Sequence, residues 1–205
     1  TCMNINADQA PSKRRYRMNA RAEAAAATRT RILQAAVALF WEQPLLDLPL
    51  EVVARRAEVA LTTVIRHFGD RQGLLVAAAE HEATRITQQR AEAPVGDLHA
   101  AVHILFDHYE ELGDAVLRLL AEEERVPGLR VISDIGREVH TRWCEQVFAL
   151  ALASLHGDQR VRRLAGLMAV TDVYVWKLLR RDRKLSRDQA ELALCELLDP
   201  MMGGT

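Results

Sequence analysis

An all-α fold is what this sequence predicts, and three observations carry the prediction. Long stretches rich in Ala, Leu, Glu, Arg and Gln place apolar residues at three- and four-residue spacing, one face of a helix. Alternation of β-branched residues is scarce, so no strand is expected. Gly, Pro and Asp recur between the apolar stripes, where helices stop and restart. With 205 residues, 49% of them hydrophobic, the chain can build a core without disulfide or metal staples.

Taken in order, Ile32, Leu33, Ala36, Leu39 and Phe40 form the stripe of a first helix, which Pro44 closes. A short second helix is predicted over Leu50–Ala57, with Asp47 as an upstream cap and Pro49 at a position that needs no amide donor. A third follows over about Leu61–His67. Gly69-Asp70 breaks the chain, and Asp70 caps a fourth helix from Arg71 to about Arg90. Pro94-Val-Gly96-Asp97 reads as a linker. Beyond it the pattern predicts helices over about Leu98–Leu112 and Asp114–Arg125, a break at Pro127-Gly128, and a long helix to His156. Gly157-Asp158 restarts the chain into a helix ending near Arg183. Ser186-Arg-Asp-Gln189 has the form of a capping box and opens a last helix, closed by Pro200 and Gly203-Gly204. The sum is about nine helices.

Composition narrows the function. The longest apolar runs, Ala35–Trp41 and Leu74–Ala79, fall far short of the ~20 residues that span a bilayer, and no secretory signal is visible, so a cytoplasmic protein without membrane contact is expected. Cys2, Cys144 and Cys195 are isolated and read as free thiols. His99, His103 and Asp107 recur at four-residue steps but lack a fourth ligand, so no metal is expected. Ser133, Ser154 and Ser186 sit in no nucleophile motif, and no phosphate-cradling Gly-rich loop is present; the chain reads as neither an enzyme nor a cofactor protein. A net charge of −1 argues at first against a polyanionic partner. Divided by position the balance changes: residues 1–90 hold 13 basic and 9 acidic side chains, residues 91–205 hold 14 and 19. Lys13, Arg14, Arg15 and Arg17 belong to a basic segment that reads either as a solvated tail or as an arm condensing on phosphates.

Short helices joined by a tight turn over Glu58–Ala60 have the layout of a helix-turn-helix, whose second helix enters the major groove. Val53, Ala54, Ala57, Val59, Val64 and Phe68 supply the small and apolar crossing, while Thr62, Thr63, Arg66 and His67 occupy the other face. By pattern alone a generic helical hairpin fits as well. The order of residues is more specific. Arg31-Ile-Leu-Gln-Ala-Ala-Val-Ala-Leu-Phe40, then Val53-Ala54-Arg-Arg-Ala57-Glu-Val59, then Thr63-Val64-Ile-Arg66-His67-Phe68-Gly-Asp70-Arg71 with Leu74 resembles the N-terminal domain of the tetracycline-repressor (TetR) family. Departures from that pattern are Pro44 and Leu45 after the first helix, Pro49, Glu58 at the turn glycine, Ala60 at the Ser cap, and Ile65 at the tyrosine.

The resemblance implies a homodimeric regulator, usually a repressor, that binds a palindromic double-stranded operator and releases it when a small molecule fills the C-terminal part. Carried over by position, Thr62, Thr63, Arg66 and His67 face DNA, Arg71 meets a phosphate, and Arg14 and Arg15 reach along the backbone. It also implies three segments: a flexible basic arm over 1–27, a DNA-binding domain over 28–75, and a ligand-binding and dimerising domain over 76–205.

In the family the last two helices form a four-helix bundle with a partner subunit. Two stripes here fit that arrangement: Val161, Leu164, Met168, Val175 and Leu179, and Leu167, Val170, Tyr174 and Leu178, matched by Ala190, Leu194, Leu197 and Met201 on the last helix. His103, Phe106, Leu117, Leu120, Ile135, Val139, Trp143, Val147 and Tyr174 are expected to line an apolar cavity for a small apolar or amphipathic effector. Asp172, in an apolar neighbourhood, is read as facing water, pairing across a dimer, or meeting a cationic ligand. Two alternatives stand beside the regulator: a helical small-molecule-binding protein with impaired DNA binding, and a helical enzyme.

Overall fold

The computed structural model describes residues 10–42 and 48–203. Cys2, Pro44, Leu45, Asp47 and Gly204, and the side chains of Lys13, Arg14 and Arg17, lie outside the described residues. The all-α expectation holds: ten α-helical segments and one π-helical turn, with no strand among the described residues.

The first helix, α1 (Ala10–Glu42), begins far upstream of its apolar stripe, so the segment expected as a flexible arm is helical from Ala10 onward. The Ala20–Ala27 run explains this, because Ala has the highest helix propensity and no competing side-chain bond. Next come α2 (Leu50–Arg56), α3 (Leu61–Phe68) and α4 (Arg71–Arg90). Asp70 caps α4 as predicted, its carboxylate accepting from the Gly73 amide at 2.8 Å.

Asp97 likewise caps α5, accepting from the Ala100 amide at 2.9 Å. But α5 runs unbroken over Leu98–Glu122, where two helices were expected. Gly113 is not a stop. It is buried beneath the indole of Trp176, where a Cβ would come within 2.5 Å of the ring. The glycine costs the helix about 1 kcal/mol of propensity and makes room for the indole of Trp176, the largest of the fully buried side chains among the described residues.

The helix expected to reach His156 ends earlier: α6 covers Leu129–Val147, Phe148 turns inward with 1% exposure, and α7 (Ala149–Leu152) follows. The helix expected to continue to Arg183 is also divided. α8 (Gly157–Val170) stops at Thr171, whose hydroxyl donates back to the Leu167 carbonyl at 2.8 Å. Asp172 then caps α9 (Val173–Lys177) by accepting from the Tyr174 amide at 2.9 Å. A π-helical turn, Leu178–Asp182, completes the segment. In that wider turn consecutive Arg180 and Arg181 both reach α5, Arg180 holding Glu110 and Arg181 holding Asp114 at 2.9 Å.

The capping box at Ser186 forms in both directions with Gln189 and starts α10 (Arg187–Met202). Pro200 sits inside α10 instead of closing it. Two apolar clusters result. One joins α1 to α4 and takes in Leu119, Val126, Leu129 and Ile132 from the α5–α6 corner. The other packs α5, α6, α8, α9 and α10 around Phe106, Phe148, Trp176 and Leu198. Cys144 and Cys195 are free and buried.

Candidate functional site

Two sites emerge on α4, one at its first residue and one along its inward face. At its first residue lies the α2–α3 pair. Pro49 starts α2, its carbonyl accepting from Val52 at 3.0 Å, and the turn closes when the Val59 amide donates to the Ala54 carbonyl at 3.0 Å. That turn requires a left-handed residue, and Glu58 takes it with φ of 54°. A side chain there costs about 1–2 kcal/mol relative to glycine. Ala60 opens α3 with no side-chain bond to the free amides. Val53, Ala54, Ala57 and Val64 are buried at the crossing, with Val59 and Phe68 packed against them.

The outward face of α3 carries Thr62, Ile65 and Arg66, exposed, with Thr63 and His67 half-buried beside them. Arg71, half-buried at the start of α4, has an Nε with no hydrogen-bond partner among the described residues. Arg15, Arg21, Arg31, Arg55 and Arg66 are exposed, and none of them, nor Arg29 or Arg71, has a carboxylate within 4 Å among the described residues. Arg29 lies over the Phe68 ring at 5.3 Å. Arg66 on α3, with Arg29, Arg55 and Arg71 on the adjoining helices, presents unneutralised guanidinium groups, an electrostatic and hydrogen-bonding match for a polyanion with readable base edges.

Along the inward face of α4, from Leu75 to Arg90, a cavity of about 600 Å³ opens between α1, α4, α5, α6, α8 and α9. Val37, Phe40 and Trp41 of α1 line it, with Leu75 and Ile86 of α4, Leu119 and Leu120 of α5, and Ile132, Ile135 and Val139 of α6. Of the expected lining residues, Leu120, Ile135, Val139 and Tyr174 are on the wall. Five others are not. Phe106, Trp143 and Val147 are core residues with 0%, 5% and 5% exposure, turned into the second apolar cluster. His103 is on the surface, paired with Glu191 at 3.2 Å and with Asp107. Leu117 also packs in the second cluster.

The polar wall went unnoticed at the sequence level. Arg90, the last residue of α4, is 4% exposed; its Nη1 lies 3.2 Å from His140 Nδ1, and its guanidinium is 5.7 Å from the Tyr109 ring and 5.4 Å from that of Trp143. Because Arg90 can only donate, His140 Nδ1 accepts, and the imidazole proton sits on Nε2, which is 3.1 Å from the Thr171 hydroxyl. Burial, reinforced by the Arg90 charge, pushes His140 down to about 4 and His108 well below the ordinary histidine range. Both rings are neutral. Burial lowers the Arg90 pKa and raises that of Tyr109, whose hydroxyl donates to the Thr171 carbonyl at 3.0 Å. Burial also pushes the Cys144 thiol up to about 11, so it is no nucleophile. A signal for this wall does exist in the sequence: Leu75, Ala79, Glu82, Ile86 and Arg90 lie at helical spacing on one face, with two charges among apolar neighbours.

The expected interface stripe is also redistributed. Leu194 is 3% exposed and belongs to its own chain's core, Leu164, Val175 and Leu179 are half-buried in that core, and Met168 lines the cavity. The extended backbone at Asp172, with ψ of 152°, interrupts the helical repeat between α8 and α9, so residues on either side of it do not share one helical face. Val161, Leu197, Tyr174 and Leu178 remain exposed, at 66%, 52%, 55% and 46%. Asp172 is half-buried at the cavity wall, where its carboxylate caps α9.

Residues 32–78 match the tetR family of bacterial regulatory proteins. No curated protein matches the chain. Among solved structures, a transcriptional regulator from Rhodococcus sp. Rha1 superposes with a TM-score of 0.64 at 18% identity, covering 85% of this chain and 95% of that one. A structure from Rhodococcus sp. described as a TetR-family transcriptional regulator gives 0.60 at 22% identity, covering 86% and 99%. NalD of Pseudomonas aeruginosa, the secondary repressor of the MexAB-OprM multidrug efflux pump, gives 0.51 at 23% identity, covering 86% and 94%. No helix among the described residues is long and apolar enough to cross a membrane.

Proposed function

We propose, from the match of residues 32–78 to the tetR family of bacterial regulatory proteins, that this chain is a ligand-responsive repressor that binds a palindromic operator as a homodimer. A head up to residue 75 reads DNA, and a body from residue 76 binds the effector and dimerises. Thr62, Thr63 and Arg66 face base edges, His67 and Arg71 face phosphates, and Arg14 and Arg15 extend the backbone contact along α1. The observation that carries this reading is the exposed Arg66 of α3 with Arg29, Arg55 and Arg71 on the helices beside it, none with a carboxylate within 4 Å among the described residues, while most guanidinium groups of the body are tied to carboxylates.

The cavity supports the regulatory half of the proposal. Its walls include Val37, Phe40 and Trp41 of α1 and Leu75 of α4, so an occupant touches the two helices that hold the reading head. A ligand that favours one placement of α1 and α4 shifts the population of head spacings away from the 34–36 Å, or about one helical turn, that separates successive major grooves. Exposed Val161 and Leu197 supply the apolar contact for a second copy.

The test is a selection on randomised DNA followed by a salt titration of the winning sequence. A two-fold symmetric site should emerge, with affinity falling as salt rises, and Arg66→Ala should lose about 1–3 kcal/mol of discrimination at one base pair per half-site. A selection returning no sequence preference overturns the reading and favours a helical ligand-binding protein.

A further inference from the structure

Resting on the reading of the cavity as the effector site, we infer that the molecule it accepts is an apolar monocarboxylate, held by its carboxylate at Arg90. Arg90 is a buried cation whose neighbours are all neutral: one imidazole nitrogen and the faces of Tyr109 and Trp143. No carboxylate of the chain comes within 4 Å of it among the described residues, and its Nε has no partner. A guanidinium removed from water costs several kcal/mol unless it is paired. Beside it, His108 Nδ1 is a second buried polar atom without a partner, on the same wall.

The other charges on the wall are already engaged. Glu82 is gripped by Arg85, with bonds of 2.7 and 3.1 Å, and Arg137 is gripped by Glu123 and Asp134. Asp172 is occupied in capping α9. What remains among the described residues of the wall is the positive charge of Arg90 without a carboxylate, in a largely apolar space of about 600 Å³, within the 300–1,000 Å³ typical of small-molecule sites. One guanidinium and one neutral imidazole match the planar, singly charged fork of a carboxylate. A phosphate dianion would bring a second negative charge onto a wall that already carries Glu82 and Asp172, with no second free cation to meet it.

Full-length protein is tested by thermal shift and calorimetry against straight-chain acids of about six to sixteen carbons and aryl-substituted acids. Alcohols, amines and alkyl phosphates of the best chain length serve as counterparts. The expected result is a melting point raised by about 5–10 °C at a hundredfold excess of acid over its Kd. The alcohol and amine should bind roughly 10–100-fold more weakly, and the phosphate should show no advantage. Arg90→Met should remove the preference for acid over alcohol, and Arg90→Lys should keep part of it. Equal binding of acid and alcohol, tighter binding of the phosphate, or no binding by any acid overturns the inference. If Arg90→Met fails to fold, the ranking of headgroups on the native chain decides. Arg90-dependent acid binding that leaves DNA affinity unchanged refutes the effector reading and upholds the carboxylate site. Release of DNA by the alcohol alone does the reverse.

Discussion

In the head, Arg55, Arg66 and Arg71 have no carboxylate within 4 Å among the described residues, although Arg56 is held by Glu42 at 2.8 Å, and the core beneath them is apolar throughout its described residues. In the body, Arg85, Arg137, Arg180, Arg181 and Arg187 are each held by a carboxylate, while Arg90, His108, Ser133 and Thr171 lie inside. Charge is kept outside one half and admitted into the other. An apolar core holds its surface in fixed geometry and leaves surface charge available to an external polyanion. A core with buried polar groups gives up part of its packing to a partner that the chain does not itself contain.

Breaking the head's half of that contrast should produce the largest effect. Leu74 is 0% exposed in the first apolar cluster, so Leu74→Ala should destabilise the chain by about 2–5 kcal/mol in urea titration. A smaller loss would mean that the head does not depend on tight packing.

Acid should then single out the body. The buried His140 titrates at about 4 in the folded chain against an ordinary 6.5, so between those values the unfolded chain binds the proton first. Its stabilising contribution is complete above pH 6.5 and is lost as pH falls towards 4, on the order of 2–3 kcal/mol. His108 acts in the same direction. Fluorescence of Trp143, stacked on His140 at 5.7 Å, follows the loss. His140→Gln should flatten the slope; an unchanged slope would place the acid sensitivity elsewhere.

The smallest expected effect refines the head again. Ala60→Ser supplies the missing cap of α3 and should add about 0.5–2 kcal/mol, a rise of a few degrees in melting temperature. No rise would mean that water already satisfies those amides.

Features set by near neighbours were legible in the sequence: the caps at Asp70, Asp97 and Ser186, the turn at Glu58, and the helix-turn-helix order. Each is a local agreement between side chain and backbone a few residues apart. Gly113 and Arg90 were not legible for the opposite reason. A glycine in a helix looks like a stop until Trp176, 63 positions later, is known to rest on it. An arginine at a helix end looks solvated until α5 and α6 close over it. The same distance effect moved His103, Phe106, Trp143 and Val147 off the cavity wall, since periodicity identifies a buried face without identifying what lies opposite.

The length of α4 has a mechanical meaning. Its 20 residues form one rod of about 30 Å, with Arg71 at one tip and Arg90 at the other. Tilting such a rod by about 5° about its Arg90 end carries the Arg71 tip through roughly 2–3 Å, close to a full hydrogen-bond length. Displacements too slight to disturb the packing around a small molecule thus become decisive at the scale on which a base edge is touched, and the stiffness of the helix sets the gain.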